Sequence, residues 1–262
     1  MERCRLFLFD LDQTLLRSDK TISERTIKAL QKCQERGILT GISTSRAEQN
    51  VLSFTEKIKP DILITSGGAL VKYNNEYIYK AMFMAEETGQ MIKTARKVCG
   101  NGCEITIDTI DGHYWNYKTD PKKQDKTWGE SIYTDFSSFN KSSFKMCVEI
   151  FEESQAERLK ALLKDCDCIR FSDGYWYKFT KKTATKENAI IKACAVCKIK
   201  TGEITAFGDD YADIGMLKLC GMGIAMGNAI KEVKEIADLV IESNDEDGIA
   251  KYLESLLQQM DL

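Results

Sequence analysis

The sequence predicts an α/β fold, a doubly wound and mostly parallel sheet interrupted by an inserted α+β unit. Three observations carry that reading. Short apolar runs alternate with amphipathic helical stretches from Leu6 to about Ile64. Between about 80 and 182 the pattern changes to hairpins, and from Lys186 the strand–helix alternation resumes. A core from residues 1–80 plus 183–262 is therefore expected, with 81–182 inserted, a plan that suits a chain of 262 residues.

Leu6-Phe7-Leu8-Phe9 reads as a buried strand ending in acid. A helix opens near Thr21 or Ser23, with Glu24 at capping-box spacing from Thr21. Ile27, Leu30 and Cys33 form its inward face, and Gly37 suits the position after its end. Ile38 to Ile42 is a second strand, 47–57 a helix, and Ile62 to Ile64 a third strand. Val71 to Tyr79 alternates around Asn74-Asn75, a hairpin pattern. In the insertion a helix near 85–99 precedes two strands flanking Asp111-Gly112, a strong turn signal. Ser143 to Phe151 is strand-like, 154–164 helical, and Asp173-Gly174 joins two more strands. Ile204 to Phe207, Gly223 to Met226 and Leu239 to Ile241 are the remaining strands of the core.

Composition narrows the chemistry. The single histidine, His113, excludes any zinc site needing two imidazoles from one chain. A net charge of -3 argues against a nucleic-acid partner held by bulk positive charge. Met1 to Phe9 briefly resembles a signal peptide, but Asp10 and Asp12 interrupt it. No apolar run approaches ~18 residues, so no membrane association is expected. Ten scattered cysteines in a chain this large fit reduced thiols and a cytoplasmic location. The sequence leaves the oligomeric state open.

Asp10 and Asp12 close the first strand, where ligands bind in open parallel sheets. Two apart on extended backbone, their side chains are expected to share one site, with Leu11 facing away. Gly208-Asp209-Asp210-Tyr211-Ala212-Asp213 repeats the arrangement at a later strand end. Four carboxylates at two strand ends make a hard, oxygen-rich pocket suited to Mg²⁺. Ser43-Thr44-Ser45-Arg46 offers hydroxyls and N–H groups for a phosphate. Lys186 opens a helix, an unfavourable place for a cation unless it faces an anion.

With these residues in order, the chain resembles the haloacid dehalogenase superfamily, in its Cof-type phosphatase branch with a class IIB cap. Asp10-Leu-Asp12-Gln-Thr-Leu matches the first motif, Thr44-Ser-Arg46 the second, Lys186 the third, and Gly208-Asp209 through Asp213-Ile-Gly-Met-Leu217 the fourth. The resemblance implies a Mg²⁺-dependent phosphatase acting on a small-molecule phosphate ester, with the insertion as cap. Asp10 would be the nucleophile and Asp12 the general acid and base. Asp10, Asp12 (through its carbonyl), Asp209 and Asp213 would hold the metal. Leu11, Thr44, Ser45 and Lys186 would surround the phosphate. Sugar phosphates are the first expectation and phosphorylated cofactors the second. A phosphomutase of similar fold and a non-catalytic phosphometabolite sensor are the alternatives.

Five positions depart from the family pattern. Gln13 replaces Gly, Ser45 replaces Gly, Gly67-Gly68-Ala69 replaces Asn-Gly-Ala, Glu187 replaces Gly, and Ala212 replaces Asn. Other signals are read structurally: the Gly221–Gly227 glycines, the Cys194/Cys197 pair as buried thiols, Cys166 and Cys168, and Tyr175 to Tyr177. His113 is expected on an exposed hairpin, and Lys118 to Lys126 as a solvated loop.

Overall fold

A computed structural model describes residues 4–117, 130–171 and 174–260. Its larger sheet contains β1 (Leu6–Phe9), β2 (Leu39–Ser43), β3 (Ile62–Thr65), β4 (Leu70–Tyr73), β5 (Glu76–Lys80), β12 (Ile204–Gly208), β13 (Met222–Ala225) and β14 (Leu239–Val240). The order is β14-β13-β12-β1-β2-β3-β4-β5. Neighbours from β14 through β3 are parallel, and β4 and β5 close the edge antiparallel. The apolar run of β1 is buried throughout, as the central strand of a covered parallel sheet should be. At the hairpin, Asn74 and Asn75 both take positive φ, 48° and 65°, which suits the turn that their sequence signals.

Helix α1 (Glu24–Glu35) is capped by Ser23, not Thr21; the Ser23 hydroxyl accepts the Thr26 N–H at 3.0 Å. Helix α2 is shorter than expected, Leu52–Ile58, after a separate tight turn at Glu48–Asn50. Helix α1 packs on α2 and on α8 (Gly248–Met260), while α5 (Lys186–Cys197) packs on α6 (Ile214–Leu219), which touches α7 (Lys231–Ile236).

The second sheet lies between β5 and α5 in sequence. It comprises β6 (Ile105–Asp108), β7 (His113–Trp115), β8 (Ile132–Tyr133), β9 (Lys145–Glu149), β10 (Cys166–Arg170) and β11 (Trp176–Lys181), in the order β10-β11-β9-β6-β7-β8. It is antiparallel except for the β7–β8 pair. Successive side chains alternate faces. Ile105, Ile107, Met146, Val148 and Phe179 pack with α3 (Ala85–Cys99) and α4 (Glu153–Leu162) into one apolar cluster. Strand alternation and pairing put Asp108, His113, Lys145, Cys147 and Lys178 together on the opposite face.

That polar face joins the larger sheet. Asp108, fully buried, accepts from Lys145 Nζ at 2.8 Å, contacts His113 Nδ1 at 2.7 Å, and accepts from Ser66 Oγ at 3.0 Å. Lys145 Nζ also donates to the Ser45 carbonyl at 2.5 Å. His113 is therefore not an exposed hairpin residue; its ring is largely covered and tied to Asp108. Although burial pushes the Asp108 carboxyl up, Lys145 and His113 hold it down at about 2.

Replacing one member of a buried ion pair strands the other charge. Asp108→Asn is expected to cost about 3–5 kcal/mol in urea unfolding, and a loss below ~1 kcal/mol would contradict the role given to this pair. A carboxyl depressed in the folded state stabilises above its unfolded value and ceases to as pH falls through the folded one. In the wild type, about 2 kcal/mol is expected to disappear between about pH 4 and pH 2. Acid titration of unfolding in wild type and Asp108→Asn isolates that loss.

Candidate active site

Three parallel strands end side by side, and the chain leaves the sheet there as Asp10 after β1, Thr44 to Arg46 after β2, and Asp209 after β12. Connections from β1 lead to β2 on one side, while β12 lies on the other, so this edge is a topological switch point. Lys186 reaches it as the first residue of α5, whose Thr185 hydroxyl caps by accepting the Asn188 N–H at 3.2 Å.

The Lys186 ammonium explains its own awkward position. It donates to Asp10 Oδ1 at 2.6 Å, Asp213 Oδ1 at 2.7 Å and the Ser43 carbonyl at 2.7 Å. Burial works against its charge, but the two carboxylates raise its pKa nonetheless. Asp213 Oδ2 accepts the N–H groups of Asp209 and Asp210 at 3.0 and 3.1 Å. Asp209 Oδ1 accepts from the Thr14 hydroxyl at 2.7 Å.

Carboxylate oxygens of Asp10, Asp209 and Asp213 lie within 4.8 Å of one another. Burial pushes the Asp10 carboxyl well above its ordinary value; Lys186 opposes that shift, and the charges of Asp213 and Asp209 add to it. Burial and the Asp213 charge push Asp209 up to about 8. One ammonium thus faces three carboxylates. Oxygen donors with uncompensated negative charge fit a hard divalent cation.

Asp12 does not join this cluster, contrary to the expectation of a shared face. Past Phe9 the chain coils into an irregular turn over Leu11–Leu15, so the extended geometry ends too early. The Asp12 carboxylate accepts from Arg46 Nη2 at 2.6 Å, Arg46 Nε at 2.7 Å and Lys20 Nζ at 3.0 Å. Burial raises its pKa, but these cations outweigh burial and leave it below the ordinary value. Thr44 is buried, and its Oγ1 accepts the Arg46 N–H at 3.1 Å. Ser45 turns its carbonyl to Lys145. The Leu11 side chain belongs to the core, so only its main chain can meet a phosphate.

Two departures in the motifs are matched by space elsewhere. A Cβ on Gly67, at φ +70°, would stand 2.7 Å from Lys178 Nζ. A Cβ on Gly215 would stand 1.5 Å from Glu187 Oε1, so Glu187 could not keep its present rotamer beside a larger residue there. Gln13 adopts φ 58°, a conformation in which glycine is unstrained; its carbonyl accepts from Asn228 Nδ2 at 2.7 Å.

Lys20, Lys145, Lys178 and Asp108 were missed by motif reading. Single lysines inside the apolar strands Phe144 to Val148 and Tyr177 to Phe179 were the available signal. The Lys118–Lys126 stretch lies outside the described residues. Cys194 and Cys197 are free thiols, half-buried rather than buried, and desolvation raises both pKa values. Gly221 to Gly227 contains β13 rather than a strand-to-helix phosphate turn. No helix among the described residues is long and apolar enough to cross a membrane.

The chain belongs to the haloacid dehalogenase-like hydrolase family, whose model matches residues 7–253. Within it, the protein is a phosphoric monoester hydrolase of the Cof-type branch. It is 26% identical to 5-amino-6-(5-phospho-D-ribitylamino)uracil phosphatase YitU of Bacillus subtilis (strain 168), over 95% of this chain and 96% of that one. It is 27% identical to phosphoglycolate phosphatase of Methanopyrus kandleri, covering 98% of each. The subclass IIB sugar phosphatase BT4131 superposes with a TM-score of 0.81 at 27% identity, covering 96% of this chain and 98% of that one.

Lys186→Met leaves two buried carboxylates without their cation, so a loss of about 3–5 kcal/mol is expected in urea unfolding without added metal. Unchanged stability would mean that the three charges do not constrain one another. Gln13→Gly relieves positive-φ strain and is expected to stabilise the fold by about 0.5–1 kcal/mol. A lower melting temperature for Gln13→Gly would contradict that account.

Proposed function

We propose that the protein is a Mg²⁺-dependent phosphatase of small phosphorylated metabolites, working through an aspartyl-phosphate on Asp10. The observation that carries this reading is the meeting of Asp10, Asp209, Asp213 and Lys186 at one sheet edge. The Asp10 carboxylate attacks phosphorus, and the ester P–O bond breaks as Asp12, which takes up a proton from solvent once it has left Arg46 and Lys20, gives that proton to the departing oxygen. Water then attacks the same phosphorus, Asp12 takes its proton, and the Asp10–phosphorus bond breaks to release phosphate. Asp10, Asp209, Asp213 and the Asp12 carbonyl would hold Mg²⁺, which would supply the positive charge that lets a carboxylate approach a phosphate dianion. Thr44, main-chain groups at Leu11 and Ser45, and Lys186 hold the phosphoryl oxygens.

Asp12 must leave Arg46 and Lys20 to reach a leaving oxygen. Asp10, Thr44 and Lys186 are each less than a tenth exposed, and Lys145 and Asp108 of the second sheet bond the neighbouring loops at Ser45 and Ser66, so substrate entry is read as a parting of the two sheets. The polar face of that sheet then closes over the leaving group. YitU is named for 5-amino-6-(5-phospho-D-ribitylamino)uracil and BT4131 for sugar phosphates. Both names support a small metabolite, with sugar phosphates first and phosphorylated cofactors second.

Hydrolysis of p-nitrophenyl phosphate and a panel of phosphate esters tests the reading. Turnover is expected with Mg²⁺, to cease on chelation, and to fall at least about 10³-fold in Asp10→Asn. Folded protein that hydrolyses nothing across the panel, or an undiminished Asp10→Asn variant, would refute it.

A further inference from the structure

Lys178 has no part in the chemistry above. It lies on the face of the second sheet that closes over the catalytic edge, in register with Cys147 and beside the Asp108–Lys145 pair. It is 2% exposed, yet its ammonium has neither a hydrogen bond nor an ion pair among the described residues. Lys145 is matched by Asp108 and Lys186 by Asp10 and Asp213. Lys178 alone of the three has no carboxylate in direct contact; Asp167 attracts it without forming an ion pair. Burial, with the like charges of Lys186 and Lys145, outweighs the attraction of Asp167 and brings it down to about 8.

An isolated buried cation is expensive, and apolar packing would serve the strand better. The surroundings preserve it instead. Its Nζ occupies the space that any side chain at residue 67 would take. Gly67 in turn donates its N–H to the Thr44 carbonyl at 3.0 Å, so the ammonium stands over the loop that lines the phosphate end of the site. The glycine that departs from the family's asparagine is the space this lysine needs.

We propose that Lys178 holds a second anionic group, a carboxylate or a further phosphate, on the leaving portion of the substrate. The proposal rests on the phosphatase reading for the reaction and on geometry for the second site. A substrate bridging both positions carries its scissile phosphate at Asp10 and its other anion under the second sheet. Lys178 then gains a directly bonded counter-charge, which no described side chain supplies, and selects substrates with a second anion over neutral ones of the same size.

Paired esters that differ only in the second anion test this. Phosphoglycolate against 2-hydroxyethyl phosphate probes a carboxylate; fructose 1,6-bisphosphate against fructose 6-phosphate probes a phosphate. The quantity read is the ratio of kcat/KM within each pair. In the wild type at least one ratio is expected to favour the second anion by about tenfold or more. In Lys178→Met that ratio falls by about tenfold, chiefly through KM. Gly67→Asn, which tolerates positive φ but fills the ammonium's space, lowers the same ratio with the lysine still present. Calorimetric binding of each pair to Asp10→Asn protein, with and without Lys178→Met, repeats the comparison without turnover. Ratios unchanged within about twofold in both variants overturn the assignment. A binding preference that Lys178→Met abolishes, in a protein that hydrolyses no ester, supports the anion site and refutes the phosphatase reading instead.

Discussion

The site depends on a charge imbalance. One buried ammonium, Lys186, touches Asp10 and Asp213, while Asp209 adds a third carboxylate within the same few ångströms. Desolvation makes each uncompensated charge costly, so the cluster is tolerable only as a set. The strands deliver its members: β1 and β12 bring Asp10 and Asp209 to one edge, and the N-terminus of α5 delivers Lys186. The turn at Tyr211–Asp213 lets Asp213 accept two N–H groups of its own loop while it meets Lys186. Every polar atom placed there reduces the deficit without removing it. A divalent cation, as proposed for this site, would complete the balance.

Much of this was legible from one sequence because strand ends announce themselves. Apolar runs stopped by acid, as at Phe9-Asp10 and Phe207-Gly208-Asp209, mark both a buried strand and the place where its chain meets solvent. The position of Lys186 at a helix start was a local contradiction that the site resolves. Conformation after the strand was less accessible. The coil at Leu11–Leu15 turns Asp12 toward Arg46, because Arg46 offers two aligned donors and Lys20 a third. Strand alternation describes β1 but not the turn that follows it.

What the sequence concealed lies across the two sheets. Asp108, Lys145 and His113 are separated along the chain and meet only through the register of β6, β7 and β9. Their partners Ser45 and Ser66 lie in the loops that follow β2 and β3 of the other sheet. The departures at Gly67 and Glu187 likewise make sense only in space, beside Lys178 and Gly215. Each looks like a lost motif residue in one dimension. In three dimensions each is one half of an exchange of volume between neighbouring elements.

The covalent step is the centre of the account, and trapping it is the most direct measurement. Protein turned over with Mg²⁺ and acetyl phosphate, quenched in acid, and mapped by mass spectrometry should carry one phosphoryl group on Asp10. Asp10→Asn should carry none. Turnover without a phosphorylated Asp10 under rapid quench, or a phosphoryl group on another side chain, would contradict the role assigned to this aspartate.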